Sequence, residues 1–239
     1  MFSKLRISIY FLLTIVVFLF SFFPEYIVFY LFFNYAIKNI AIYFLSPLIL
    51  TLAYIASIVI FGVLHSFFVV KTLLPTPKEG VYNHHTDEGR LMALRLISDS
   101  LMKSMIKFIS WVPFVTNRIL LPKLLRLYGL KTGKNVHLAS DVYIDSALVE
   151  IGNNVFIGIR TTVSSHYNQD QNLILKKIVI GNDVTIGAHS IVAPGVKIGN
   201  NSVLGAFSFL VPDQIMEANS TYVGSPAKKI NERSIKDQK

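Results

Sequence analysis

Three patterns of apolar and polar residues succeed one another along this chain. In the first, Leu5 to Phe23 is apolar almost without interruption, broken by Ser8, Thr14, Ser21 and a flanking Arg6. A second such run, Leu48 to Val70, closes at Lys71 and Lys78. At 1.5 Å of rise per residue, each run makes a helix able to cross a hydrocarbon core of about 30 Å. Between them Tyr26–Leu45 is apolar but holds Asn34, Lys38 and Asn39. A lysine near the centre of a membrane helix costs about 2.5–3.5 kcal/mol. That stretch therefore reads as an interfacial helix, a re-entrant hairpin or a third span. Pro75, Pro77 and Gly80 then break the chain.

In the second pattern, over Thr86 to Ser110, Leu94, Ile97, Leu101, Met105 and Phe108 recur every three or four residues. Arg95, Asp99, Lys103 and Lys107 fall on the opposite face. This spacing predicts a basic amphipathic helix, either packed on a neighbouring element or lying in a membrane interface. A second helix starts at Pro122, carries Leu124, Leu125 and Leu127, and stops before Gly129. His84 and His85 precede the first of these helices in a polar stretch, where a metal or substrate role competes with a solvated loop.

The third pattern has a period of six. Hexads open at Thr132, Leu138, Ile144, Ile151, Ile157 and Val163, with one extra residue, Glu150. After a gap they open at Ile180, Ile186, Val192, Ile198, Leu204 and Leu210. Eleven of these twelve hexads open with an aliphatic residue, Thr132 being the exception. Nine carry Gly or Ala at their second position; the others carry Asp145, Ser164 and Val211. One aliphatic side chain every six residues implies short strands joined by tight turns. The aliphatic groups stack into a column, and small residues beside them let the backbone corner. Three hexads make a triangular coil of 18 residues, so twelve make about four coils. A β-sandwich with frequent turns would keep no six-residue phase.

Residues 132–230 resemble the hexapeptide-repeat acyltransferases. The resemblance rests on the run Ile180–Val211 and on the closing Tyr222-Val-Gly-Ser-Pro-Ala-Lys-Lys-Ile230. It implies a left-handed parallel β-helix, here preceded by an α-helical transmembrane anchor and amphipathic helices. It also implies a homotrimer with active sites between subunits, and transfer of an acetyl or other acyl group from coenzyme A to a hydroxyl or amine. The phase breaks at residues 166–177, and an insertion from a solenoid is a loop on one face, often the binding face. That loop opens with His166, which by the resemblance is the general base. Histidine suits the task because its pKa lies near operating pH. By the same resemblance Ala188 and Ala206 line the coenzyme groove. Lys228 and Lys229 match the basic residue that meets coenzyme phosphates. The family's soluble sugar acetyltransferases carry acceptor-binding residues in an N-terminal cap that this chain lacks, so no acceptor site carries over.

Composition sharpens the division. Residues 1–70 hold 52 apolar residues, 13 of the 18 phenylalanines, and only the charges Lys4, Arg6, Glu25 and Lys38. The net charge of +9 splits into +3 over residues 1–80, +6 over 81–135 and zero beyond. A basic segment beside an apolar one points to an anionic bilayer surface, not to nucleic acid. Lys4 and Arg6 suit a cytoplasmic N-terminus. Two full spans, about 5–23 and 48–70, then leave the basic segment in the cytoplasm as well. A bulky stretch, Phe22-Phe23-Pro24, follows the first run where a cleaved signal peptide would place small residues. The expected division is an anchor over 1–74, a basic helical segment over 75–130, a β-helix over 131–228 and a tail over 229–239. With no cysteine there is no thiol nucleophile and no cysteine zinc site. No second histidine follows His166 closely, so no metal is expected. A tether suggests an acceptor that is itself at the membrane, such as a lipid-linked sugar or an envelope-polymer precursor. A looser resemblance, to the membrane region of non-ribosomal peptide synthetase-like proteins, implies amino acid or peptide acceptors. A non-catalytic trimeric scaffold would use the same repeat but has no need for His166.

Overall fold

The computed structural model of the chain describes residues 2–35, 39–107 and 120–232. The chain forms two compact units, Met1–Leu74 and Pro75–Lys239. Lys38, Phe108, Ser110 and the tail beyond Glu232, all named above, lie outside the described residues.

In the first unit, helix α1 (Phe2–Ser21) runs into α2 (Phe23–Asn34), with Pro24 in the opening turn where its missing N–H leaves nothing unsatisfied. Helix α3 (Ile40–Leu64) starts at Asn39, whose side chain accepts from the Ala41 and Ile42 N–H groups. It passes into a π-helical turn (His65–Val70) and ends in α4 (Lys71–Leu73). The ambiguous stretch 26–45 is thus divided. Its first part continues one helix and its last part begins the other. Two helices, Lys4–Asn34 and Ala41–Leu73, are long and apolar enough to cross a membrane. Tyr10, Val17 and Ser21 of α1 are buried, as are Ala53, Ser57, Ile58 and Phe61 of α3 and His65 beyond it. Phe20, Phe29, Phe44 and Leu52 point outward, Phe44 being 74% exposed. The apolar outside is the reverse of a water-soluble helix pair.

In the second unit the hexads fold as a parallel β-helix. The first face pairs β2 (Lys131–Thr132), β5 (Val149–Ile151), β10 (Ile178–Ile180), β13 (Lys197–Ile198) and β16 (Ile215–Met216). The second pairs β3 (His137–Leu138), β6 (Phe156–Ile157), β11 (Thr185–Ile186), β14 (Val203–Leu204) and β17 (Ser220–Val223). The third pairs β4 (Tyr143–Ile144), β7 (Thr162–Val163), β12 (Ile191–Val192) and β15 (Phe209–Leu210). Every aliphatic residue that opens a hexad is buried, from Leu138 to Leu210.

The small second positions have a steric cause. A Cβ on Gly187 would stand 2.3 Å from the Ala206 backbone nitrogen, and one on Gly158 2.5 Å from that of Ala188. The next coil's backbone lies directly on these residues. The fourth positions carry the turn in the left-handed region: Asn154, Asp183, His189, Asn201 and Phe207 all have φ between 55° and 57°. Asn and Asp adopt that region most readily. Along the corner between the first and second faces they also bond from coil to coil, Asn135 to Asn154 at 3.0 Å and Asn154 to Asp183 at 2.9 Å. The extra residue, Glu150, sits inside β5 and binds Lys131 and Lys177, each at 2.8 Å.

Helix α5 (Asp87–Lys107) packs on a face that mixes the two sides of its pattern, with Leu94 buried beside Arg95 and Asp99. Arg95, Ser98 and Asp99 are buried together with Met92 and Met102, while Ile97 and Leu101 are exposed. The charged groups find fixed partners. Arg95 donates to the Tyr128 carbonyl, just beyond α6 (Leu121–Leu127), and Asp99 accepts from Ser146. Two of the basic residues that gave this segment its surface-binding look are therefore interior groups, Arg95 and the largely covered Lys103.

Candidate active site

The gap in the repeat at 166–177 is an antiparallel hairpin, β8 (His166–Gln169) and β9 (Asn172–Leu175), not an irregular loop. Strand β1 (Gly80–Asn83) adds to β9 as a third strand. Leu173 and Leu175 pack with Met92 of α5, Tyr82, Leu96 and Leu148. The hairpin is thereby fixed at its root, and His166 is its first residue. His84 lies at the hairpin tip, where its N–H donates to the Gln171 carbonyl at 2.9 Å. The exposed His85 donates its own N–H to Asn83 at 2.9 Å.

His166 points its Nδ1 at Asp145 Oδ2, 2.7 Å away. Asp145 is 1% exposed. The same oxygen accepts the Ser165 N–H at 2.8 Å and the Ser164 hydroxyl at 3.1 Å. Burial works to raise the Asp145 pKa, but the hydrogen bond from His166, the Lys103 ammonium and the Ser165 N–H outweigh it. The carboxyl stays below its usual range and is ionised at neutral pH. An ionised carboxylate can only accept, so the ring proton sits on Nδ1 and the Nε2 lone pair is left available. The His166 side chain is 23% exposed, enough to meet a substrate. The arrangement can hold a neutral imidazole in one tautomer and stabilise the cation formed when it takes a proton.

The sequence pattern did not single out Asp145 as a functional residue, although it carried a signal. The second-position residues on the third face are Asp145, Ser164, Ala193 and Val211. All three exceptions to the Gly/Ala rule therefore fall in one column, at the corner after the third face, and two of them bind each other and His166.

The other expected site residues lie elsewhere. Ala188 and Ala206 stack at the corner between the second and third faces, beside a parallel pair of rings, His189 and Phe207, 4.9 Å apart. A single chain thus presents the histidine and the two alanines at different corners. Lys228 and Lys229 lie in β18 (Lys228–Glu232), an antiparallel strand on β17, so the region expected as a tail begins with a strand. Lys228 is exposed, and Lys229 pairs with Glu217 at 2.7 Å. No three His, Asp or Glu residues cluster to hold a metal among the described residues.

Residues 177–211 match the family model described as bacterial transferase hexapeptide (six repeats). The repeat is of the transferase hexapeptide type. Among curated proteins the chain is 34% identical over 120 residues to a galactoside O-acetyltransferase from Escherichia coli. That match covers 44% of this chain and 58% of the relative. It is also 27% identical over 108 residues to delta-poly-L-ornithine synthetase from Acinetobacter baumannii, covering 45% of this chain and 8% of the relative. The chain spans less than two thirds of either relative's length. A galactoside acetyltransferase solved in complex with coenzyme A is 23% identical, with a TM-score of 0.47, covering 67% of this chain and 90% of the other.

Proposed function

We propose that this chain is a membrane-anchored acyltransferase that moves an acetyl or related acyl group from coenzyme A to a hydroxyl or amine, with His166 as general base. The observation that carries the reading is the His166–Asp145 pair where the hairpin interrupts the repeat. Nε2 takes the proton of the acceptor O–H or N–H as its oxygen or nitrogen bonds to the thioester carbonyl carbon. Asp145 stabilises the imidazolium so formed. The C–S bond then breaks, and His166 returns its proton to the departing sulfur. Acyl-coenzyme A, when bound, supplies the activated thioester.

The stacked backbone at Gly187-Ala188 and Gly205-Ala206 leaves a low wall suited to a pantetheine arm, with the exposed Lys228 a cation for phosphate. Because His166 and these alanines occupy different corners of one chain, the reading calls for a trimer, in which one subunit's corner faces the next. The outward apolar side chains of α1–α3 support insertion as two spans, with Lys4, Arg6, Lys71 and Lys78 on the cytoplasmic side. The acceptor is then a membrane-associated molecule, such as a lipid-linked sugar or envelope precursor. The likeness to delta-poly-L-ornithine synthetase favours an amine acceptor as the second reading.

The test is isotope-labelled acetyl-CoA given to membranes holding wild type or His166→Ala, with mass spectrometry of the lipid and sugar extracts. A labelled product from wild type that falls by a hundredfold or more in the variant supports the reading. Undiminished product from a folded His166→Ala chain overturns it.

A further inference from the structure

Lys103 belongs to α5, outside the repeat, yet its side chain is only 9% exposed. Lysines are almost never buried that far without partners. Its ammonium donates to the Ile144 carbonyl at 2.9 Å and to Asp99 Oδ2 at 3.3 Å. It stands 3.7 Å from Asp145 Oδ1 and 3.7 Å over the Tyr143 ring. Tyr143, Ile144 and Asp145 are consecutive, so the lysine is clamped onto the strand end that carries the acid of the dyad. The two oxygens of Asp145 are thereby divided. Oδ2 takes the His166 Nδ1–H, and Oδ1 faces the ammonium. Burial works against the charge on Lys103, but Asp99 and Asp145 outweigh it and hold its proton above the usual lysine range.

The groups facing His166 can be counted by element. Asp145 comes from the corner after β4, and the Ser164 hydroxyl from the turn after β7. Lys103 and Asp99 stand behind Asp145 on α5. The partner of His166 across β9 is the apolar Leu175, and the next residue, Lys176, is engaged with Asp213. With a neutral ring, Asp99, Lys103 and Asp145 sum to one negative charge. Taking up the acceptor's proton brings the cluster to zero. Without the lysine, the carboxylate against the ring would have a second buried carboxylate, Asp99, behind it and no cation between them, and such a cluster draws in a proton. The ring would then be loaded before substrate arrives, and a loaded base cannot act.

We propose that Lys103 is a positioning residue whose fixed charge holds the Asp145–His166 pair as carboxylate and neutral imidazole, so that the base is free at neutral pH. The proposal rests on reading His166 as the base. Its test therefore reads the ring itself. Full-length protein in nanodiscs is treated with diethyl pyrocarbonate across a pH series, and modification of the His166 peptide is followed by mass spectrometry. Only the neutral ring reacts. Lys103→Met should move the midpoint up by about one pH unit, a tenfold smaller neutral fraction on the acid side. Lys103→Arg should leave it in place. Asp99→Asn removes a negative charge from the same cluster and should move the midpoint down. A merely structural lysine would give no such opposite pair. A folded Lys103→Met with an unmoved or lowered midpoint overturns the proposal. Should Lys103→Met not fold, an Asp99→Asn midpoint that stays or rises overturns it equally. Absence of any acyl transfer by wild type would defeat the catalytic reading and leave the ring measurement intact.

Discussion

Replacing Asp145 by Asn keeps the shape of the buried side chain and removes its charge and one of its two acceptor oxygens. The remaining oxygen has three donors competing for it: the Ser165 N–H at 2.8 Å, the Ser164 hydroxyl at 3.1 Å and the His166 ring. The new NH2 group must face either the Lys103 ammonium or Nδ1, and both are donors. The least costly relief moves the ring proton from Nδ1 to Nε2, so that Nδ1 accepts from the amide. The lone pair then points into the protein. Loss of the imidazolium's counter-charge adds to this. At a charge separation of roughly 4 Å and an effective dielectric near 20, it amounts to about 4 kcal/mol. A tenfold rate change corresponds to about 1.4 kcal/mol, so transfer should fall by roughly a thousandfold. Lys103 also loses one of its two carboxylates, which costs about 1–3 kcal/mol of stability. Release of coenzyme A thiol can be followed with a thiol reagent without background, because the chain has no cysteine. An Asp145→Asn protein that melts within a few degrees of wild type and turns over within threefold of it would refute the tautomer argument.

Two further outcomes follow from the same structure. Gly187→Ala places a methyl group 2.3 Å from the Ala206 nitrogen, between two backbones that cannot yield separately. It should cost about 3 kcal/mol, measured as a lowered denaturation midpoint, whereas the exposed Ala206→Ser should change little. Asp145 is ionised more readily in the folded chain than in the unfolded one. Its contribution is therefore complete above the ordinary carboxylate pKa and is lost as pH falls from about 4 through its lowered value. Chemical denaturation between pH 6 and pH 2 should show this acid limb in wild type and a flatter one in Asp145→Asn.

The β-helix was legible because its period is set by backbone geometry. An 18-residue coil admits one aliphatic residue per side and a small residue wherever the next coil lies close, and both constraints are written into the hexads. The same regularity made the site visible as an irregularity, through His166 at the phase break and Asp145 and Ser164 in the wrong column. What hid Asp145 was the folding of a linear repeat into three faces, since every third hexad shares a face. Helix α5 was misread for a different reason. Its apolar spacing is genuine, but its position against β4 and the corner after it gives Arg95, Asp99 and Lys103 partners strong enough to bring these polar groups inside beside Leu94. Hydropathy alone carries no information about such partners. The three-strand sheet of β1, β8 and β9 was hidden similarly, because it joins residues nearly a hundred positions apart.

The last strand has a bearing on how the protein avoids its own kind. A stack of parallel coils ends in a row of unpaired N–H and C=O groups, a template onto which another molecule's coil could grow. On the second face β18 closes that row. It runs antiparallel to β17, shifts register against it between Thr221 and Tyr222, and carries Lys228, Lys229 and Glu232. A strand of reversed direction cannot begin a further coil, and pairing onto it would require its lysines to lose water. The second face of the solenoid therefore ends without a parallel edge, and shortening the chain before Lys228 would uncover the edge of β17.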